Sequence, residues 1–231
     1  MVQSESAGVK SKVDDPVLVE RRRKQITAAS IKVFSERGYH PATIRDIAEC
    51  AEVSIGTIYQ YFNDKEDLLY LAIIEIMDSY DAHMLAALEM TEDPLERFYA
   101  AVRAFCRVNN ASVDVTVLAY RETKSLRKER RDVIKQKEIT TNGYIADCVR
   151  ECISAGLFTE IDVELFVYQI VIFSHAWALK AWHFAQRMTV DEYINRGLNL
   201  FFMAVLTGRG ERRLAELRRD GRIPEGPAVK S

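Results

Sequence analysis

The 231-residue sequence holds few of the residues that interrupt helices, with 10 glycines and 5 prolines. That scarcity excludes collagen-like and low-complexity chains and leaves a helix-rich protein as the leading class. Cysteine is scarce too. Cys50, Cys106, Cys148 and Cys152 do not form a disulfide framework in a chain of this length; they read as reduced thiols, which points to a cytoplasmic location. The first sixteen residues, MVQSESAGVKSKVDDP, contain no apolar run of the kind a secretory signal requires. A long apolar span is also missing. The most apolar stretch, Leu165 to Trp182, is interrupted by Gln169, Ser174, His175 and Lys180, so no membrane partner is expected. Nor does one sign of charge dominate: 32 Lys and Arg stand against 34 Asp and Glu, a formal net charge of −2. A wholly basic nucleic-acid coat is excluded, while a local basic patch is not.

What is present is apolar residue at helical spacing. Hydrophobic residues make up 48% of the chain, enough for a real core. From Val17 to Leu206 nearly every segment repeats its apolar positions with the helical period, and none alternates as a strand would. The predicted elements are a disordered arm over 1–16, a helix from about Val17 to Arg37 stopped by Gly38, and short helices over Ile44–Cys50 and Ile55–Tyr61 capped by Thr43 and Ser54. A long helix capped by Asn63 or Asp64 then reaches Glu89 or Met90. Further helices start at Asp93-Pro94 with a break near Asn109-Asn110, and cover about 113–124, 128–155, 162–187 and 190–207, the last closed by Gly208. The expected organisation is all-α: an N-terminal three-helix domain over 17–63, a larger C-terminal helical domain over 64–208, and a basic, partly disordered tail over 209–231. The 162–187 helix is apolar nearly all round, so more than one side needs cover. A second copy of the chain would cover the helices at about 162–187 and 190–207 as a homodimer.

The two short helices are separated by Ala51, Glu52 and Val53, the length pattern of a helix-turn-helix. The second begins with small residues, Ser54, Gly56 and Thr57, which let a helix N-terminus approach a duplex, and continues with Tyr59, Gln60 and Tyr61. A Gln amide reads adenine and Tyr hydroxyls reach phosphate. An ordinary helical corner would show the same spacing.

Arg23 through Leu68 reads RKQITAASIKVFSERGYHPATIRDIAECAEVSIGTIYQYFNDKEDL. It resembles the DNA-binding region of the tetracycline-repressor (TetR) family of bacterial regulators in its AA and F in the first helix, GY, the helix-opening Thr, IA, VS-GT-Y-YF and KE-L. Two departures stand out: Glu52 occupies a turn position where the family usually has Gly, and Ala42-Thr43 replaces a Thr-Thr pair. The resemblance implies a homodimeric repressor, without catalysis, with an N-terminal helix-turn-helix DNA-binding domain over 17–63 and a C-terminal helical ligand-binding and dimerisation domain over 64–208. It implies that such a repressor binds a palindromic double-stranded operator and is released by a small-molecule effector. By motif position it implies DNA contacts at Thr43, Arg45, Ser54, Gly56, Thr57, Tyr59, Gln60, Tyr61 and Lys65, with Tyr59 and Lys65 on the backbone and Thr57 and Gln60 on base edges. Core packing is the competing role for Tyr61. Residues 17–70 carry eight basic and eight acidic side chains, so placement rather than net charge must supply the attraction.

The candidate pocket walls are Phe98, Val102, Phe105, Val117, Tyr120, Tyr144, Cys148, Tyr168, Ile172 and His175, for each of which core packing is the simpler explanation. The stretch 121–137 has eight basic residues against three acidic ones. Either it is a solvated connection or, through Arg121 and Lys124, it receives an anionic ligand. Tyr120 to Leu126, YRETKSL, resembles a subset of the family linked to fatty-acid or aromatic-acid catabolism, which implies an acyl-CoA thioester as effector. The alternative is a drug-efflux regulator sensing cationic lipophilic compounds, which would need acidic groups facing aromatics. No cofactor or metal is expected: His175 and His183 have no third ligand at suitable spacing, and Cys148 and Cys152 read as buried inert thiols or, less simply, a redox pair. Paired Glu-x-x-His motifs, a nucleophile elbow and a phosphate loop are all missing, so no enzyme is expected.

Overall fold

The computed structural model describes Val9 and residues 11–225. Among them the chain forms eleven α-helices and one short 3-10 turn at Thr123–Ser125. Residues gather into two compact units. One runs up to Met77 and includes Asp114–Lys135; the other takes Asp78–Val113 and the chain from Gln136 on.

The first unit is built on α1 (Pro16–Arg37), α2 (Ile44–Cys50), α3 (Ile55–Tyr61), the start of α4 (Lys65–Leu88), nearly all of α6 (Val113–Glu122) and the start of α7 (Lys128–Ser154). Asp15 caps α1 by accepting the Val17 and Leu18 amides, with Pro16 at the first helical position. Ile26, Phe34, Ile47, Ile58, Phe62, Leu68 and Leu69 are all but completely buried in one cluster that also takes in Leu118, Leu126 and Ile134. Each such side chain contributes about 1.5–3 kcal/mol by leaving water.

The expectation of a disordered arm over 1–16 fails where the structure describes it. Residues 1–8 and 10 lie outside the described residues, but Val9 is 5% exposed. The Lys12 amide donates to the Gln60 carbonyl at 2.8 Å. The cause is Arg23, read from sequence as part of a basic helix start. It is buried instead, and its Nη2 donates to the carbonyls of Val9 at 2.6 Å and Tyr61 at 3.2 Å.

The second unit holds the end of α4, α5 (Pro94–Ala111), most of α7, α8 (Val163–Leu179), α9 (Ala181–Phe184), α10 (Val190–Val205) and α11 (Gly208–Arg219). The break expected near Asn109-Asn110 falls at Ser112, just after the pair and directly before α6. The pair itself stays helical and both amides find partners: Tyr80 donates to Asn109 at 2.7 Å, Asn109 donates to Ser174 at 2.8 Å, and Trp177 donates to Asn110 at 2.8 Å. Two sequence expectations are corrected here. The 162–187 helix is two helices interrupted at Lys180, which folds Phe184 back against the rings of Trp177 and Tyr193. Gly208 does not close α10, which ends at Val205; it opens α11, capped by Thr207. Thr207 Oγ1 also donates to the Gly156 carbonyl at 2.7 Å, and Leu214 and Leu217 are buried. A side chain at Gly210 would lie 2.1 Å from the Leu157 carbonyl, so glycine is what lets α11 seat.

α10 carries a second close approach. A Cβ at Gly197 would sit 2.0 Å from the Phe173 ring, which stacks on Tyr193 at 4.5 Å with the planes 1° apart.

Candidate nucleic-acid interface

α2 and α3 are each seven residues long, far too short to be stable alone. Local bonds define their ends. Thr43 accepts the Asp46 amide while the Asp46 carboxylate accepts the Thr43 amide, a complete capping box. The Arg37 guanidinium lies 2.6 Å from Asp46. The Thr43 bonds, then burial acting the other way, then Arg37 hold the Asp46 carboxyl below its ordinary pKa. Ser54 caps α3 by accepting the Thr57 amide at 3.0 Å.

Between them the chain turns through Glu52 at φ +55, the left-handed conformation usual for glycine. The amide of Glu52 bonds to the Glu49 carbonyl at 3.1 Å and that of Val53 to Ala48 at 3.0 Å, a Schellman closure. Gln25 on α1 donates to the Ala51 carbonyl at 2.8 Å and steadies the same turn.

α3 packs against both α1 and α2, and that packing sets its rotation. Ile58 and Tyr61 point inward, while Ser54, Gly56, Tyr59 and Gln60 are exposed and Thr57 is half-buried. Tyr59 is 43% exposed. A Cβ at Gly56 would meet nothing nearer than Ser54 Oγ at 3.6 Å, so this surface is open. Thr43 and Arg45, at the start of α2, are exposed as well.

Two of the expected contacts sit differently. Tyr61 is 3% exposed and part of the core cluster, so its ring takes the competing role of core packing. It occupies the next turn after Ile58 on the inward face. Lys65 is half-buried and donates to three carbonyls, those of Tyr39 at 2.8 Å, His40 at 3.0 Å and Ala42 at 2.9 Å, with the Tyr39 ring 4.6 Å below. Burial lowers its pKa. Its protons thus hold the loop that leads into α2.

The basic stretch 121–137 is mostly engaged. Arg127 bonds to Asp64 and Glu66, and Arg130 bonds to Glu66 and to Asp67, whose side chain is 1% exposed. Arg131 donates to the carbonyls of Lys124 and Leu126. Burial alone would raise the pKa of Asp67; the Asn63 amides and Arg130 overcome it and hold the carboxyl low. The reading of this stretch as an anion receiver therefore shrinks to Arg121, Lys124 and Lys128, which are exposed and have no ion pair among the described residues. Sequence reasoning missed Arg23, Gln25, Asp67 and Arg130. The missed signal was an acidic cluster, Asp64, Glu66 and Asp67, matching a basic one about sixty residues on.

The expected pocket walls are not one set. Val117, Tyr120, Arg121 and Lys124 belong to the first unit, where Val117 and Arg121 border a small cavity of about 120 Å³ with Phe34, Tyr39 and Leu118. Tyr120 is 49% exposed. In the second unit Phe98, Val102, Phe105 and Cys148 are buried, and Tyr144 and His175 partly so. Phe98 meets the rings of Phe158, Phe166 and Phe202, and Phe105 those of Tyr80 and His175. Burial lowers the pKa of His175 to about 4, leaving a neutral imidazole at pH 7. Burial pushes the Cys106 and Cys148 thiols up to about 12 and raises that of Cys152, so these thiols stay protonated and unreactive.

Tyr168 and Ile172 are corrected. They lie with Leu165 on an outward stripe of α8, and Ile172 is 54% exposed, so they do not wall an interior. Leu200 and Met203 form a similar exposed pair on α10. No helix among the described residues is long and apolar enough to cross a membrane, and no group of three metal-binding side chains occurs among them.

Comparison with known proteins agrees with this architecture. Residues 26–70 match the profile "Bacterial regulatory proteins, tetR family", and residues 91–183 match "Tetracyclin repressor-like, C-terminal domain". The HTH-type transcriptional regulator HbdR of Aromatoleum sp. (strain CIB) is 46% identical over 219 residues, 95% of this chain and 96% of that one. The structure of the ketosteroid transcriptional regulator KstR2 of Mycobacterium tuberculosis superimposes with a TM-score of 0.71 at 21% identity, over 86% of this chain and 99% of that one. The fatty acid metabolism regulator protein of Bacillus subtilis is 42% identical over 60 residues, 26% of this chain and 31% of that one.

Proposed function

Because the chain belongs to the tetR family of bacterial regulatory proteins and is a DNA-binding transcriptional regulator, we propose that it is a dimeric repressor whose α3 enters the major groove of a palindromic operator and whose second unit binds a releasing effector. The rotation of α3 carries this reading: Ile58 and Tyr61 are locked inward, so Ser54, Gly56, Thr57, Tyr59 and Gln60 form one outward edge. Thr57 and Gln60 take base edges, Tyr59 takes phosphate, and Thr43 and Arg45 flank them. The partner copy covers Leu165, Tyr168 and Ile172 on α8 with Leu200 and Met203 on α10. The test is binding to a duplex recovered from a random-sequence pool. Gln60→Ala should relax preference at one base position and cost about 1–3 kcal/mol. Unchanged affinity and preference in both Gln60→Ala and Thr57→Ala would remove α3 as the reading element.

The effector we infer is an acyl-CoA thioester, with its acyl part among the buried apolar residues of the second unit around Phe98, Val102 and Phe105. The apolar, ring-rich interior supports this, as does the likeness to a protein named as a fatty acid metabolism regulator. One observation favours the alternative, a cationic lipophile. Glu138 on α7 is partly buried, its pKa is raised by burial, and it has no ion pair among the described residues. Thermal shift decides between them, since a ligand at a hundred times its Kd stabilises by about 2.7 kcal/mol. A shift with acyl-CoAs but not with cationic dyes supports the thioester. A shift with dyes alone, abolished in Glu138→Gln, supports the cation.

A further inference from the structure

The segment ahead of α1 is tied to the far end of the reading helix. Lys12 N donates to the Gln60 carbonyl at 2.8 Å, and Ser11 Oγ reaches the same carbonyl at 3.3 Å. Ser11 Oγ also accepts the Val13 amide at 3.0 Å. Arg23, 7% exposed and 5.9 Å from the Phe62 ring, completes the strap by gripping Val9 and Tyr61 through their carbonyls. Helix α3 ends at Tyr61, so these bonds take up carbonyls its last turn leaves without helical partners. Main-chain atoms, Ser11 and the Arg23 guanidinium make them. The Lys12 side chain is left exposed, with no ion pair among the described residues.

Length then places this strap. Seven residues at 1.5 Å each make α3 about 10 Å long. The major groove is about 12 Å wide. A helix about as long as the groove is wide cannot carry its last turn far from a groove wall, so a long side chain fastened there lies within reach of the phosphates.

We propose that Ser11–Val13 is a second DNA-contacting element, in which the Lys12 ammonium binds a backbone phosphate beside the groove that α3 reads. The inference rests on α3 being the reading helix. Two carboxylates lie nearby. Asp15 is occupied with the Val17 and Leu18 amides, while Asp14 is exposed and opposes the contact. The contact adds no base readout. It extends the footprint and supplies charge that the balanced composition of the region does not.

The test uses the full-length protein, a 40-base-pair duplex recovered from a random-sequence pool, and a scrambled duplex of equal length. Lys12→Ala leaves every strap bond in place, because none of them uses the Lys12 side chain. Affinity for both duplexes should fall by the same factor, and the slope of log K against log salt should flatten by about 0.9 for each protomer whose Lys12 meets a phosphate. Lys12→Arg should keep both, and Asp14→Asn should tighten both. An unchanged salt slope in Lys12→Ala, with Thr57→Ala still impaired, overturns the proposal and leaves α3 standing. If neither variant changes binding, the reading helix itself is wrong and this inference falls with it.

Discussion

The α2–α3 pair and the α8–α10 pair are both two helices at close quarters, and they are held in different ways. In the first, most of the fixing bonds run between residues a few positions apart: Thr43 with Asp46, Ser54 with Thr57, Val53 with Ala48. In the second, a ring on one helix fits where the other has no side chain, Phe173 over Gly197, with Tyr193 stacked on it and donating to the Phe173 carbonyl at 2.7 Å. The local arrangement gives a small motif that is specified almost wholly by its own sequence. The distant one gives a contact surface that is free to differ among relatives, because any matched pair of shapes would serve. The two kinds of fixation suit the proposed function, in which a reading element keeps its geometry and a ligand-binding unit varies with its ligand.

The comparison can be broken most strongly at Gly197. Gly197→Ala drives a methyl into the Phe173 ring and should destabilise the protein by about 3 kcal/mol despite the better helix propensity of alanine. Adding Phe173→Leu should recover a good part of it. A chemical melt of the single and double variants measures both. Next comes acid. The pKa of His175 is lowered by burial to about 4, below the 6.5 of an unfolded chain, so its contribution is complete above pH 6.5 and is lost as pH falls towards 4. The loss is on the order of 3 kcal/mol, offset in part by Glu138, whose raised pKa acts in the opposite sense. Asp46, Glu66 and Asp67 in the first unit have lowered pKa values, so their contribution disappears only at lower pH, below the ordinary carboxylate range. Amide exchange should therefore show Ile170 and Ile194 losing protection between pH 6.5 and 4, before Ile47 and Ile58, with His175→Leu removing the difference.

Smaller effects sharpen the local side. Thr43→Ala deletes the cap of α2 and should cost about 1 kcal/mol, with exchange accelerated first at the α2 amides. Glu52→Gly relieves a left-handed residue at about 1–2 kcal/mol and gives back about 0.5–1 in chain entropy, so a gain of roughly 0.5 kcal/mol is expected in the same melt.

The same contrast explains what the sequence disclosed. The α2 and α3 boundaries, their caps and the strained Glu52 turn were legible because each depends on residues within a few positions. Tyr61 was ambiguous because whether its ring packs depends on how α3 rotates against α1. The basic stretch was misread because its carboxylate partners, Asp64, Glu66 and Asp67, sit some sixty residues earlier and nothing local announces the pairing. The break near Asn109-Asn110 was legible, but its placement at Ser112 was not: Tyr80, Ser174 and Trp177, which bond the two amides, are remote in sequence. The break at Lys180 has no glycine or proline to mark it and follows from the ring packing of Phe184.

The three carbonyls around Lys65 form something close to a crown for a monovalent cation, with the cation tethered to α4 rather than drawn from solution. A crown of that kind selects by shape. The compact ammonium offers three donors spread around one centre, whereas the flat fork of an arginine cannot address three oxygens arranged about a point. Emptied of its ion, the loop from Tyr39 to Ala42 would turn three acceptors toward one another with nothing between them. The position is thus fixed as lysine by coordination geometry rather than by charge, and a loop that looks like an ordinary connection is assembled around a permanently bound ion.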